Sequence, residues 1–173
     1  MQYTYRYDSP LGGILLASNG AALTGLWFEG QKYYAAALTG QHEEKALPVF
    51  EQARSWLDIY FGGKEPDFTP PLAPAGSGFR REVWELLRSI PYGKTTTYAE
   101  LASAIAETRG LAHMSAQAVG GAVGHNAISV LIPCHRVVGA DGSLTGYAGG
   151  IDRKIRLLEL EHADLRGLFV PEL

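Results

Sequence analysis

A proline-rich segment near residue 70 limits what this chain can fold into more than any other feature of its sequence. Residues 67–78 contain three prolines together with glycine and serine, and a fourth proline, Pro66, lies directly before them. Regular structure is not expected to continue through such a segment. A chain of 173 residues can form one compact domain or two small ones. We therefore predict an N-terminal domain over residues 1–72 and a C-terminal domain over residues 73–173.

The N-terminal residues predict a small antiparallel sheet covered by one helix. Tyr3, Tyr5 and Tyr7 alternate with polar neighbours, and glycines separate the next two apolar segments, residues 14–17 and 23–28. Between residues 47 and 61 the apolar side chains recur at helical spacing, and Gly62-Gly63 ends the pattern. The predicted class of the whole chain is α+β, with this part acting as an α/β scaffold.

The first half of the C-terminal domain predicts three helices. Ser77 can cap a helix that ends before Pro91-Tyr92-Gly93, and Thr96 or Thr97 can cap a helix from Tyr98 to about Ala106. Ser115 can cap a third helix that runs from residue 116 towards residue 123. Two short helices joined by a turn suggest a helix-turn-helix, but the pattern alone favours ordinary helical packing, so groove binding needs other support.

The remaining chain places its one cysteine between two apolar segments. Residues 128–132 predict a buried strand, Val137-Val138 predicts a short extended piece, and a last helix is predicted from about Asp152. Cys134 lies between the strand and the extended piece. The end of a strand that leads into a loop is a common place for a functional site.

Cys134 excludes some chemistries and permits two interpretations. A single cysteine allows no internal disulfide and no zinc site built from several thiolates. The five histidines show no metal-binding spacing, so we predict no metal and no cofactor. His135 and Arg136 follow the thiol directly, and neighbouring positive charge or a base favours a reactive thiolate. An inert, buried sulfur is the alternative, because unpaired cysteine is often a small core residue.

The charge of the chain does not by itself indicate a nucleic-acid-binding protein. The formal net charge is −3, whereas phosphate contacts depend on clustered lysine and arginine. Between Glu107 and Asp141, however, there is no acidic residue, so this stretch can approach a polyanion. The N-terminus lacks a signal-peptide pattern and no apolar run has membrane-spanning length. We expect a cytoplasmic protein with no membrane partner.

Several motifs resemble those of the methylated-DNA–protein-cysteine methyltransferases, also called O6-alkylguanine-DNA alkyltransferases. The resemblance covers about half of the chain well and the N-terminal half only in layout. It implies an RNase H-like N-terminal domain and a winged-helix-like C-terminal domain with a helix-turn-helix. The matching residues are Pro91–Tyr98, Leu101-Ala102, Ala118–Ala122, Pro133–Val137, Gly146–Gly150 and Leu157–Glu161.

The resemblance implies direct reversal of DNA alkylation in a single turnover, with Cys134 as the acceptor. The substrate would be O6-alkylguanine, and also O4-alkylthymine as a second candidate. His135 would take the thiol proton through water, and Glu161 would orient the imidazole. Tyr98 would protonate the leaving guanine, and Asn126 would brace the active-site turn. The alternatives are a solvated carboxylate at Glu161 and an aromatic at Tyr98 that only packs its helix.

The same resemblance implies that the partner is double-stranded DNA containing O6-alkylguanine, bound by a monomer that rotates the damaged base out of the duplex. A recognition helix would lie in the minor groove, and Gln117 at its start would fill the gap left by the base. Val137, Tyr147 and Ala148 would hold the guanine. The predicted DNA-binding residues are Thr97, Gln117, Ala118, Gly120, Gly121, Arg136, Val137, Tyr147 and Ala148.

The sequence departs from the family pattern in several places. Gln117 stands where most relatives have arginine, which predicts weaker DNA binding or slower repair. Residues 108–114 lengthen the turn between two helices, where Arg109 or His113 is a candidate phosphate contact. Ala148 stands where many relatives have serine, and Asn126 is not followed by the usual proline.

Two other functions compete with alkyl transfer. One is an alkyltransferase-like protein that binds damaged DNA without transferring the alkyl group, although such proteins lack the cysteine. The other is an unrelated hydrolase with a cysteine and a histidine, which would need an oxyanion hole that nothing in this sequence specifies.

Overall fold

The computed structural model describes residues 1–38 and 40–171 and divides the chain into two units. The first unit contains Met1–Ala75 and also takes up the short segment Ala127–Leu131. The second unit contains Gly76–Asn126 and the chain from Ile132 onward. The proline-rich segment did not predict that a piece from late in the chain joins the first unit. Within the described residues, no helix has the length and apolar character needed to cross a membrane.

The first unit is a four-stranded sheet with a covering helix. Its strands are β1 (Gln2–Ser9), β2 (Gly12–Ser18), β3 (Leu23–Phe28) and β4 (His42–Glu44), in the order β3-β2-β1-β4. β1, β2 and β3 pair in antiparallel fashion as predicted. β4 pairs parallel to β1 and was not predicted, because its three exposed polar residues carry no strand pattern.

Helix α1 (Pro48–Phe61) covers this sheet, as predicted. Its start is favoured by proline in the first turn, where a missing N–H costs nothing. The ring of Phe50 stacks on that of Tyr5 from β1 at 5.7 Å between centroids. The buried face of α1 is the predicted apolar stripe, which consists of Val49, Phe50, Ala53, Trp56, Leu57 and Tyr60.

The second unit is mostly helical. It contains α2 (Gly78–Leu87), β5 (Thr96–Thr97), α3 (Tyr98–Arg109), α4 (Ala116–Gly124), a 3₁₀ turn (Cys134–Arg136), β6 (Val137–Val138) and α5 (Ile151–Leu160). The short strands β5 and β6 pair in parallel. Three side chains cap the helices as predicted, because Ser77, Thr97 and Ser115 accept hydrogen bonds from the backbone N–H of the first turn.

Helices α3 and α4 pack against each other and are joined by residues 110–115. This is the arrangement expected of a helix-turn-helix. α3 extends three residues beyond the predicted end, and Gly110, at φ +67°, ends it. The indole N–H of Trp84 on α2 donates to the carbonyl of Ala122 at 2.8 Å, which ties α4 to α2.

The strand predicted for residues 128–132 is wrong. This run forms turns, with one isolated bridge from Ile128 to Leu26. Val130 has φ +71°, a left-handed conformation that no strand contains and that a β-branched residue rarely adopts. All five residues are buried, so this run has the composition of a core strand but not the backbone conformation of one.

Candidate active site around Cys134

Cys134 begins the 3₁₀ turn and is almost fully buried, with 5% of its surface exposed. The side-chain amide of Asn126 donates to the Cys134 sulfur at 3.2 Å and to the carbonyl of Ile132 at 2.7 Å. One buried amide therefore fixes both the nucleophile and the chain entering its turn. The family resemblance implies that Asn126 braces the active-site turn, and these two contacts agree with that expectation.

The Cys134 thiol is not activated by its surroundings alone. Burial raises the pKa of the Cys134 thiol, while the hydrogen bond from Asn126 and the positive charge of Lys154 act in the opposite direction. Because burial dominates, the protonated thiol is the resting form at neutral pH. Reaction as a thiolate therefore requires a base close to Cys134.

His135, which directly follows Cys134 in the sequence, forms a buried pair with Glu161. Nε2 of His135 lies 2.6 Å from Oε2 of Glu161, and neither side chain is exposed to solvent. Burial lowers the pKa of His135, and the hydrogen bond to Glu161 opposes this shift. The imidazole is therefore neutral at neutral pH and able to accept a proton.

Glu161 is held as a carboxylate by several donors. It lies at the C-terminal cap of α5 and accepts hydrogen bonds from the backbone N–H of Gly93 at 3.1 Å and from Nε of Arg136 at 2.8 Å. Burial acts to raise the pKa of Glu161, but the hydrogen bonds from His135 and Arg136 outweigh it and hold this pKa well below its usual range. The solvated carboxylate considered as an alternative is therefore wrong.

The guanidinium of Arg136 makes its contacts inside the site. It also donates to the second Glu161 oxygen at 3.1 Å and to the carbonyl of Ile90 at 2.7 Å. It lies over the ring of Tyr92, and only 10% of the Arg136 side chain is exposed. The sequence predicted Arg136 as a DNA contact, but the structure commits its donors to a buried carboxylate that needs a counter-charge.

Tyr98 is the first residue of α3 and is half-buried. Its hydroxyl donates to the carbonyl of Thr145 at 3.1 Å. Burial, with a smaller contribution from charge on Cys134, raises the pKa of Tyr98 to about 12. The hydroxyl is therefore protonated at neutral pH, and in this structure its proton is directed at the Thr145 carbonyl.

The loop after Thr145 lies against Tyr98 and His135. Gly146 has φ +76°, and a Cβ there would lie 2.9 Å from the Tyr98 hydroxyl, so this position requires glycine. The buried ring of Tyr147 meets the His135 ring edge-on at 6.5 Å between centroids. Ala148 is half-buried, and Val137 is fully buried, so the Val137 side chain is not accessible to a ligand.

Lys154 is a site residue that the sequence did not single out. It is fully buried, and its ammonium donates to the carbonyls of Val137 and Thr145. Burial lowers the pKa of Lys154 to about 8, with charge on Cys134 opposing the shift. Its spacing to Leu157 and Leu158 on the buried face of α5 is the signal that could have identified it.

The outer surface of α4 carries the residues predicted to meet DNA. Gln117, Ala118 and Gly121 are exposed and Gly120 is half-buried, and we call these four residues the α4 surface. Thr97 is half-buried and accepts from the backbone N–H of Glu100, so its hydroxyl serves the start of α3.

The two residues considered as phosphate contacts in the lengthened turn differ in their surroundings. Arg109 donates to the Glu82 carboxylate at 2.6 Å and 3.0 Å and lies over the ring of Phe79. His113 is exposed. Among residues 1–38 and 40–171, no three His, Cys, Asp or Glu side chains are placed to hold a metal ion.

Two family models match nearly the whole chain. Residues 1–74 match the ribonuclease-like domain of 6-O-methylguanine DNA methyltransferase, and residues 78–163 match its DNA binding domain. A methylated-DNA–protein-cysteine methyltransferase of Haemophilus influenzae is 43% identical over 162 residues, covering 93% of this chain and 86% of its own length. The same-named protein of Methanosarcina barkeri is 44% identical over 160 residues, covering 92% and 96%.

Two solved structures are similar to this chain over most of its length. The crystal structure of Mycobacterium tuberculosis OGT in complex with DNA is 42% identical, has a TM-score of 0.79, and covers 93% of this chain and 92% of its own. An O6-methylguanine DNA methyltransferase from Methanococcus jannaschii, at 23% identity and a TM-score of 0.61, shares the fold over 98% of this chain.

Proposed function

The chain belongs to the 6-O-methylguanine DNA methyltransferase family, and we propose on this basis that it repairs alkylated DNA by direct reversal. It transfers a methyl or larger alkyl group from O6 of guanine to Cys134 and keeps it. The observation that carries this function is the buried thiol directly before the His135–Glu161 pair. Because the thioether product is not converted back to a thiol, each molecule acts once.

We propose that the thiol is activated by a relay through His135. Nε2 of His135 is engaged by Glu161, so Nδ1 accepts the proton from Cys134, through a water molecule. The imidazolium that forms is stabilised by the Glu161 carboxylate, which Arg136 and the N–H of Gly93 hold in place. Arg136 is thus a positioning residue for Glu161 in this proposal.

In the displacement step we propose Tyr98 as the proton donor to the leaving guanine. The sulfur forms a bond to the alkyl carbon as the bond from that carbon to O6 breaks, and the electron pair moves to the guanine ring. Tyr98 gives its hydroxyl proton to N3 of the guanine, so that the base leaves neutral. The proton taken by His135 returns through solvent to the phenolate, and the net products are guanine in DNA and S-alkylated Cys134.

Access to O6 requires the nucleotide to leave the duplex, because the target atom is stacked and paired inside it. We propose that the α4 surface enters the minor groove and that Gln117 fills the gap left in the duplex by the extruded base. The small residues Ala118, Gly120 and Gly121 allow the helix to approach the DNA closely. The backbone near Val137 and the loop at Tyr147 and Ala148 hold the extruded guanine. The DNA complex of the 42% identical relative supports DNA as the partner.

The alternative of a damage sensor without transfer is not favoured, because the nucleophile and its partners are all present. The domain boundary between residues 72 and 73, the scaffold role of the N-terminal domain, the monomeric state and the cytoplasmic location stay predictions.

Incubation with duplex DNA containing O6-methylguanine tests the proposal. Intact mass and peptide mapping should find one methyl group per protein molecule, on Cys134. Cys134→Ala should bind the same duplex with unchanged affinity and gain no methyl group, because only the nucleophile is removed. Binding by the wild-type protein without any methyl transfer would contradict the proposed function.

A further inference from the structure

We propose that Lys154 positions both reacting ends of the site and supplies the positive charge that offsets formation of the Cys134 thiolate. This inference rests on the proposed alkyl transfer, in which Cys134 attacks and Tyr98 protonates the leaving base. Lys154 lies on α5 and acts on two separate chain segments. It is a positioning residue and does not touch the substrate.

The hydrogen bonds of Lys154 connect the nucleophile to the proton donor. Its ammonium donates to the carbonyl of Val137, the residue that follows the 3₁₀ turn carrying Cys134. It also donates at 2.9 Å to the carbonyl of Thr145, which accepts the Tyr98 hydroxyl at 3.1 Å. A carbonyl oxygen has two lone pairs, so both donors are accommodated at once. Thr145 is therefore the common acceptor through which Lys154 and Tyr98 share one anchor.

Burial of Lys154 indicates a function beyond surface charge. A lysine with no exposed surface is rare, because the ammonium loses its hydration and is kept only where other groups replace it. Two carbonyls replace part of that hydration here, and the pKa of about 8 still leaves most of the lysine charged at neutral pH. The charge is thus present when Cys134 must lose its proton.

The other charged groups around the site do not provide the same charge. Glu161 and Arg136 form an ion pair and largely neutralise each other. His135 is neutral until it accepts the thiol proton, and Tyr98 stays protonated at neutral pH. Lys154 is therefore the cation that is already charged when the relay begins, and its charge acts to lower the pKa of the Cys134 thiol.

The reactivity of the thiol at pH 7, where most of Lys154 is charged, distinguishes this role from simple packing. Cys134 is the only cysteine in the chain, so the rate of its alkylation by iodoacetamide without DNA reports its thiolate fraction directly. The variants are Lys154→Met and Lys154→Gln, which remove the charge, and Lys154→Arg, which keeps it. Arg156→Met is the matched control, because it removes one exposed positive charge from the same helix.

We expect the iodoacetamide rate at pH 7 to fall by about tenfold in either neutral variant, because the charged Lys154 favours the thiolate and the neutral side chains do not. Lys154→Arg should keep the wild-type iodoacetamide rate while transferring methyl more slowly, because the larger guanidinium displaces the Thr145 anchor. Arg156→Met should match the wild type. An unchanged iodoacetamide rate at pH 7 in a neutral variant that folds, by its near-ultraviolet circular dichroism, would overturn the inference.

The same samples separate this inference from the proposed function. If the wild-type protein takes a methyl group from O6-methylguanine duplex and a folded neutral variant transfers at the same rate, the role of Lys154 is wrong and the function stands. If the wild type transfers nothing, the proposed function fails, and the iodoacetamide rates at pH 7 still test the electrostatic part of the inference.

Discussion

The residues around Cys134 and the residues of the α4 surface are held in opposite ways. His135, Glu161, Arg136 and Lys154 are buried, and their polar groups bind one another or nearby backbone atoms. Gln117, Ala118 and Gly121 are exposed on α4. The difference implies that the groups for chemistry are in place before DNA arrives, whereas the surface that we propose for DNA binding consists of exposed, mostly small side chains.

The same comparison predicts where a substitution does least harm. A change at Gln117 alters an exposed side chain and leaves the buried hydrogen bonds intact. A change at Glu161 removes an acceptor that serves His135, Arg136 and the N–H of Gly93 together. The predictions below therefore run from the buried network outward.

The largest effect is expected for Glu161→Gln. The neutral amide cannot stabilise the His135 imidazolium, so the transfer rate at saturating duplex should fall by about 100-fold or more. Loss of the counter-charge to buried Arg136 should also lower the free energy of unfolding by about 3 kcal/mol. Rapid-quench transfer and denaturant unfolding measure the two quantities. Glu159→Gln, an exposed neighbour on the same helix, should change neither, and an equal loss in that variant would contradict the assignment.

Tyr98→Phe should reduce the maximal transfer rate by about 10-fold to 100-fold, because guanine must then leave without a positioned proton donor. The ring that packs at the start of α3 is retained, so DNA affinity should change little. Single-turnover rates at saturating duplex and a separate binding titration provide the test. A normal rate in this variant would mean that Tyr98 only packs its helix, the alternative that the sequence left open.

Acid should destabilise the protein through Glu161. The pKa of this carboxyl is held below its usual range in the folded state, so its contribution to stability is complete above the unfolded-state pKa of about 4.3. That contribution is lost as the pH falls from there towards the folded-state value. Urea midpoints between pH 6 and pH 3 should decrease more for the wild type than for Glu161→Gln, and parallel curves would exclude this source of acid sensitivity.

The smallest effect on chemistry is expected for Gln117→Arg. An added guanidinium near phosphate should raise DNA affinity at low salt by a few-fold and increase the slope of log affinity against log salt by about 0.9. The maximal transfer rate should stay within about twofold of the wild type, because no buried contact changes. Binding titrations at several salt concentrations, with rates at saturation, measure both. A large gain in the maximal rate would show that the α4 surface takes part in the chemical step.

Local signals made part of the fold predictable. The caps at Ser77, Thr97 and Ser115 were identified correctly because each depends on a hydrogen bond within one helical turn. The apolar stripe of α1 was equally clear, since its period is fixed by the helix itself. The buried run at residues 128–132 was misassigned, because burial on all sides gives turns and core strands the same composition.

The site was predictable as a set of residues but not as a network. Resemblance to the family identified Cys134, His135 and Glu161, yet nothing in the sequence revealed that Arg136 turns inward to the carboxylate. In the sequence Lys154 is one of three basic residues close together on α5, Arg153, Lys154 and Arg156, and nothing there distinguishes it as the one that the structure buries completely. These contacts join segments that are far apart along the chain, so only the folded backbone determines them.

The central claim is that the chemistry around Cys134 is assembled without DNA, and the most direct test uses the free base O6-methylguanine. At millimolar concentration and without duplex, intact mass should show slow methylation of Cys134, at equal rates in the wild type and in Gln117→Arg and much more slowly in Glu161→Gln. If the free base never methylates Cys134 while the same base in duplex DNA does, DNA binding completes the site and the claim is wrong.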